Sequence, residues 1–211
     1  MFYGVIVLNE CDLYYEQMIE EGANIEITKK LNTFRKNFKY YINETKKYIE
    51  AKDTRKAKYN IQLAKKELEG FKNEVKNMNS DAGSVVFGYM VHCAIDYGKS
   101  IPLMLGAKGL GAIITNISSK STPSNNKLIG FFTNILNSEL GDKLKVLGGN
   151  IAELVSWSVK IIGQVKNAIK IINSLRDGDK TEDALNMYRH DLIDIISFYE
   201  KALDCLESKI K

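Results

Sequence analysis

Residues 24–78 carry the strongest hydrophobic pattern in the chain, two stripes of apolar positions that alternate spacings of four and three. This spacing keeps the apolar side chains on one helix face and turns that face toward a partner helix. Between the stripes, "EAKDTRKA" places Asp53 or Thr54 where a helix N-cap is expected. We therefore predict an antiparallel, coiled-coil-like hairpin. Its seam comprises Ile27, Leu31, Phe34, Phe38, Tyr41 and Tyr48 in the first helix, and Ala57, Ile61, Ala64, Leu68, Phe71 and Val75 in the second.

The first 23 residues combine a short apolar run with an acidic amphipathic segment. The run "FYGVIVL" at 2–8 is β-like, but so short an apolar run does not distinguish a strand from a helix. In "CDLYYEQMIEEG", Leu13, Met18 and Ile19 predict the apolar face of a short helix that ends at Gly22. The N-terminus lacks a basic region and a long apolar stretch, so we expect no secretory signal peptide.

Residues 81–211 predict a glycine-bearing, apolar helical core that ends in a C-terminal helix. Thirteen of the residues in 82–175 are charged, and eleven of the fifteen glycines lie there. Apolar residues recur at helical spacing over 82–98, over 143–175 and, after the turn "RDGDK", over 185–206. The chain therefore divides into an acidic segment (1–23), a basic helical hairpin (24–80) and a helical core (81–211).

Proline and cysteine usage support an all-α fold in a reducing compartment. Proline breaks helices, and the chain has only two. The three cysteines are far apart and include no C-x-x-C, which favours free thiols over a disulfide framework or a zinc site. We predict an all-α helical bundle.

The net charge of +4 is unevenly distributed. Two acidic ends, 1–23 and 176–211, flank a basic interior that is most basic over 24–78. We expect either that the ends fold back onto the basic hairpin or that neighbouring copies pair an acidic end with a basic face.

Two short glycine-containing sequences hint at a nucleotide site, and the first is Gly98-Lys99-Ser100. A P-loop requires a glycine five residues before Gly98, where the chain has Cys93, and a helix after the serine, where it has Pro102. "GAKGLGA" at 106–112 has the wrong order of spacings for a dinucleotide fingerprint. We therefore predict no nucleotide and no cofactor.

The histidines give no catalytic or metal site. His92 and His190 each precede an aspartate by four residues, Asp96 and Asp194, so each pair shares a helix face. One histidine and one aspartate per helix is a thin ligand set, and an ordinary His–Asp contact accounts for it. Cys93 follows His92 directly, and consecutive helical residues point about 100° apart, which is poor geometry for proton transfer.

We expect a non-enzymatic structural or assembly protein that self-associates or binds other protein subunits. The composition, rich in Asn, Lys, Ile and Tyr, is typical of an AT-rich genome, and a bacteriophage virion is one setting that fits. Lysines interleaved with aromatics over 29–76 could bind nucleic acid, but neighbouring glutamates favour a solvated helix exterior. The alternative is a membrane-active protein that inserts residues 82–119 as a pore-forming or ejection device.

Overall fold

The computed structural model describes residues 10–20, 25–78, 83–104, 151–178 and 181–210. Regular structure within these ranges is entirely helical, which confirms the predicted all-α fold. The β-like run at 2–8 and most of the segment 82–119 lie outside the described residues. The helices are α1 (Glu10–Glu20), α2 (Ile25–Glu50), α3 (Thr54–Asn77), α4 (Gly83–Met104), α5 (Ile151–Arg176) and α6 (Glu182–Lys209).

Helices α2 and α3 lie antiparallel along each other and are joined by a three-residue turn. Contacts between them descend one helix as they ascend the other: Lys30 with Glu74, Phe34 with Gly70, Asn37 with Glu67, and Tyr48 with Lys56. Asp53 caps α3, because its side chain accepts a hydrogen bond of 3.1 Å from the Lys56 amide.

The buried residues match the predicted seam in α3 but only partly in α2. In α3, Ala57, Ile61, Ala64, Leu68, Phe71 and Val75 are all fully buried. In α2, Leu31 and Phe38 are fully buried, whereas Ile27, Phe34, Tyr41 and Tyr48 are half-buried at its edge. The neighbouring residues Thr28, Arg35 and Ile42 are fully buried in their stead. The buried face of α2 is thus wider than the predicted seam, because α2 packs on α4 as well as on α3.

Gly70, in the middle of α3, lies against an aromatic ring of α2. A Cβ atom at Gly70 would lie 2.7 Å from Cε1 of Phe34. The missing side chain makes room for that ring, and the intrinsic helix cost of glycine is offset by close packing between α2 and α3.

Helix α4 is the central element of the bundle. It contacts α1, α2, α5 and α6, and its side chains from Val86 to Gly98 are buried. Because α4 is surrounded by four helices, residues 83–104 contain only two charged side chains, Asp96 and Lys99. The helix continues past the predicted end at Gly98 to Met104, because Pro102 falls in its last turn and costs few helical hydrogen bonds there.

The remaining helices complete a ring of neighbours around one apolar core. Each of α2, α3, α6, α5 and α4 packs on the next, and α4 closes the ring by packing on α2. Helix α1 contacts α2 and α4. Thr181 caps α6 by accepting a hydrogen bond from the Ala184 amide, and Gly178, with φ of +97°, makes the turn before it. Among the described helices, none combines the length with the continuous hydrophobicity that a membrane span requires.

Candidate functional site

The most polar part of the interior is an ionic cluster centred on Arg35, where α1, α2 and α4 meet. The Arg35 side chain is 2% exposed. Its Nε donates to Oδ2 of Asp96 at 2.6 Å, and its Nη1 donates to Oδ1 of Asp12 at 2.6 Å. Lys39 Nζ lies 3.2 Å from the same Asp96 oxygen, one turn along α2. The cluster therefore combines two cations from α2 with one carboxylate from each of α1 and α4.

The two carboxylates of the cluster stabilise the charge of the Arg35 guanidinium. Burial opposes the guanidinium charge, but hydrogen bonds to Asp12 and the nearby Asp96 carboxylate raise the pKa of Arg35 above its ordinary value. Each buried charge faces an opposite charge at hydrogen-bonding distance, which is the condition under which buried ions are tolerated. The cluster therefore ties three helices together and sets their register.

Helix α1 lies antiparallel on α4 through a ladder of aromatic and sulfur contacts. The ring centroids of Tyr14 and His92 are 4.6 Å apart, and those of Tyr15 and Tyr89 are 5.8 Å apart. A Cβ at Gly88 would lie 2.5 Å from the Tyr14 hydroxyl oxygen, so α1 packs closely on α4. Leu13, predicted on the apolar face of α1, is 51% exposed, whereas Met18 is buried as predicted and Cys11 is buried as well.

The Gly98-Lys99-Ser100 sequence lies within helix α4. A Cβ at Gly98 would lie 2.5 Å from Cγ2 of Val165, and it would also meet the Tyr199 hydroxyl. The Ser100 hydroxyl donates to the Asp96 carbonyl at 2.8 Å. Gly98 thus serves the close packing of α4 on α5 and α6.

The two histidines lie in different environments. His92 is buried beside Tyr14, and His190 is exposed on α6 together with Asp194. Within the described ranges, no three His, Cys, Asp or Glu side chains are grouped so that they could hold a metal ion.

Both acidic ends of the chain contact the basic hairpin within one molecule. Asp12, from the N-terminal segment, binds Arg35. In the C-terminal helix, Glu200 pairs with Lys72, and Asp204 pairs with Lys65. The folded-back arrangement, one of the two expected from the charge distribution, is therefore present in the structure.

The loop end of the hairpin, residues 46–58, forms a basic surface that we call the hairpin tip. It contains six bases and two acids. Lys47, Lys52, Arg55 and Lys56 are exposed. Tyr40 and Tyr59 flank the tip and are 58% and 60% exposed. Exposed tyrosines amid cations are typical of contact surfaces, because the ring supplies apolar area and a hydrogen-bonding hydroxyl.

The first half of α6, residues 182–194, forms an oppositely charged surface that we call the acidic patch. It contains four acids and one arginine. Met187 is 55% exposed there. An open groove of about 420 Å³ runs beside it between α5 and α6, and its lining includes Asn167, Tyr188, Asp191 and Asp194.

Sequence reasoning did not identify Arg35, Asp12 or Cys11 as site residues, and of the acidic patch it predicted only that the C-terminal end, 176–211, is acidic. The 4-3 spacing of the predicted seam leaves position 35 facing solvent. The one signal that position 35 is buried is its seven-residue spacing from Thr28 and Ile42, which are both buried. The pairing with Asp96 joins residues 61 apart in the chain, and no local pattern encodes such a contact.

Comparisons with protein-family models, curated proteins and solved structures found no match to this chain.

Proposed function

We propose that this chain is a non-enzymatic assembly protein whose copies associate head to tail, with the hairpin tip of one copy on the acidic patch of the next. The observation that carries the proposal is the pairing of charge and exposed apolar side chains at the two surfaces. Tyr40 and Tyr59 stand beside lysines and arginine, whereas Met187 stands among aspartates and glutamates. A larger particle, such as a virion, is a setting that suits such a subunit.

The two surfaces lie toward opposite ends of the molecule. Ion pairs show that α3 and α6 are antiparallel, since Lys65 pairs with Asp204 and Lys72 with Glu200. The start of α6 therefore extends beyond the end of α3 that is remote from the tip. At a rise of 1.5 Å per residue, Thr54 and Tyr188 are separated by about 45 Å along the bundle axis. Complementary surfaces at opposite ends favour a heterologous contact, which builds rings or filaments.

Apolar contact and charge would have different tasks in this interface. Burying two tyrosine rings and a methionine side chain supplies the apolar contribution, at roughly 25 cal/mol per Å² removed from water. The surrounding charges set orientation and speed the encounter, and salt screens them. Association is therefore expected to weaken as ionic strength rises.

Light scattering coupled to gel filtration tests the proposal. The molar mass should rise above the 23.8 kDa of one chain as concentration increases, and it should fall again in high salt. Joint replacement Tyr40→Ser with Tyr59→Ser should lower the mass toward that of one chain. Leu13→Ser is the matched control, because Leu13 is similarly exposed but belongs to α1, which forms no part of either surface. A single-chain mass at every concentration would contradict self-association.

Insertion of residues 82–119 into a membrane stands as the alternative proposal. Burial of α4 against four helices provides another physical reason for the low charge of its described part, 83–104. Dye release from anionic liposomes distinguishes the two. Leakage that Leu110→Asp abolishes in a folded variant would favour insertion, and intact liposomes would favour assembly.

A further inference from the structure

The antiparallel contact of α1 and α4 brings two of the three cysteines together. Tyr15 faces Tyr89 across this contact. One helical turn away, four residues back in α1 and four residues on in α4, Cys11 faces Cys93. The Cys11 and Cys93 thiols interact, and neither forms a disulfide in the structure. Cys11 is 2% exposed and Cys93 is 0% exposed.

We propose that Cys11 and Cys93 are an oxidation site, at which a small-molecule disulfide such as oxidised glutathione converts the facing thiols into an intramolecular disulfide that fastens α1 to α4. This inference is independent of head-to-tail assembly. Cys205, the third cysteine, lies on α6 and takes no part in the reaction.

The reaction proceeds by two thiol–disulfide exchanges. The Cys11 thiolate attacks one sulfur of the small disulfide, forms a mixed disulfide and releases one thiolate. The Cys93 thiolate then attacks the Cys11 sulfur, closes the Cys11–Cys93 bond and releases the second thiolate. The two cysteines are oxidised, the small disulfide is reduced to two thiols, and the two cysteine protons pass to the released thiolates.

Local opening of α1 controls access to the pair. Burial raises the pKa of the Cys93 thiol, so the closed protein reacts slowly. Helix α1 has only 11 residues, and a cavity of about 130 Å³ lies against it beside Tyr14 and Gly88. A short element with few contacts opens more readily than the bundle core. The Asp12–Arg35 pair holds α1 closed, since it joins α1 to α2.

Mass spectrometry of the purified full chain tests the site after incubation with oxidised glutathione. We expect a loss of two hydrogens per chain and, after digestion, a linked peptide containing Cys11 and Cys93. Cys205→Ser should give the same product. Cys11→Ser and Cys93→Ala should each give no crosslinked peptide. Two single variants are used so that the test still stands if one of them does not fold. The crosslink should raise the melting temperature by about 5–10 °C.

The rate of crosslinking provides a second readout. Asp12→Asn weakens the tie to Arg35 and should accelerate crosslinking about tenfold, since the rate follows the population of the open form. Glu16→Gln, on the exposed side of α1, is the control and should leave the rate unchanged. The proposal is overturned if the folded protein yields only glutathione adducts or Cys205-linked dimers, or if both cysteines stay reduced when α1 is opened by Asp12→Asn.

Discussion

Arg35 and Asp96 form a buried ion pair, with Nε of the arginine 2.6 Å from Oδ2 of the aspartate. The arginine is 2% exposed and the aspartate side chain 7% exposed. The pair joins the basic hairpin (24–80) to α4 of the helical core (81–211). It therefore connects two segments that differ in composition.

Removing Asp96 should destabilise the fold strongly. Asp96→Ala leaves a buried guanidinium with Asp12 as its remaining carboxylate, and loss of one member of a buried pair costs about 3–5 kcal/mol. Urea unfolding followed by circular dichroism measures this change. Asp194→Ala, at an exposed position of α6, should change the free energy of unfolding by less than about 0.5 kcal/mol. Equal changes in the free energy of unfolding for the two substitutions would show that Asp96 is not needed to stabilise the buried Arg35 charge.

Two helical glycines should respond in opposite directions to alanine. Gly98→Ala should cost about 1–3 kcal/mol, because the new Cβ meets Val165 and Tyr199. Gly163→Ala should gain about 0.5–1 kcal/mol, because a Cβ there meets no atom of the described residues within 4 Å and alanine favours the helix. Thermal unfolding of the two variants provides the comparison. A stabilising Gly98→Ala would mean that α4 packs less closely on α5 and α6.

The cap of α3 should make stability depend on pH in the acid range. The Lys56 backbone hydrogen bond, with the Lys56 ammonium, lowers the pKa of Asp53 in the folded state. A lowered folded pKa stabilises the fold above the unfolded pKa, at roughly pH 4, and that contribution disappears as pH falls through the folded value. Unfolding midpoints of wild type and Asp53→Asn should therefore differ at pH 7 and converge near pH 2.

The uncharged cap of α6 is the control for this effect. Thr181→Ala should cost about 1 kcal/mol at both pH values, because a hydroxyl does not titrate there. A difference between wild type and Asp53→Asn that is the same at pH 2 and pH 7 would contradict the role of the Asp53 charge.

The sequence predicted those features of the fold that depend on local periodicity. In α6, for example, the apolar positions Tyr188, Leu192 and Ile195 are buried as the 3.6-residue repeat requires. The N-cap of α3 could be predicted at Asp53 or Thr54 because capping is a local interaction, and the structure has Asp53 there. The exposure of Leu13 was not predicted, since the short helix α1 buries Cys11 together with the predicted Met18 and leaves Leu13 in solvent.

The polar interior could not be predicted, because a buried charge follows no apolar period. Arg35 occupies a place that a pattern search assigns to solvent, and its partners come from α1 and α4. The wider buried face of α2 has the same origin: a helix that contacts two neighbours buries positions on both sides of a single seam.

Charge reversal tests the central claim, head-to-tail assembly, most directly. One variant carries Lys52→Glu and Arg55→Glu in the hairpin tip, and the other carries Asp191→Lys and Asp194→Lys in the acidic patch; all four residues are exposed. Each variant alone presents like charges at the contact, so light scattering should give a lower molar mass than for wild type. Mixing the two, or combining all four substitutions in one chain, restores opposite charges and should restore assembly. The contact between the hairpin tip and the acidic patch would be contradicted if both variants still assembled as wild type does. It would also be contradicted if mixing the two variants did not restore assembly.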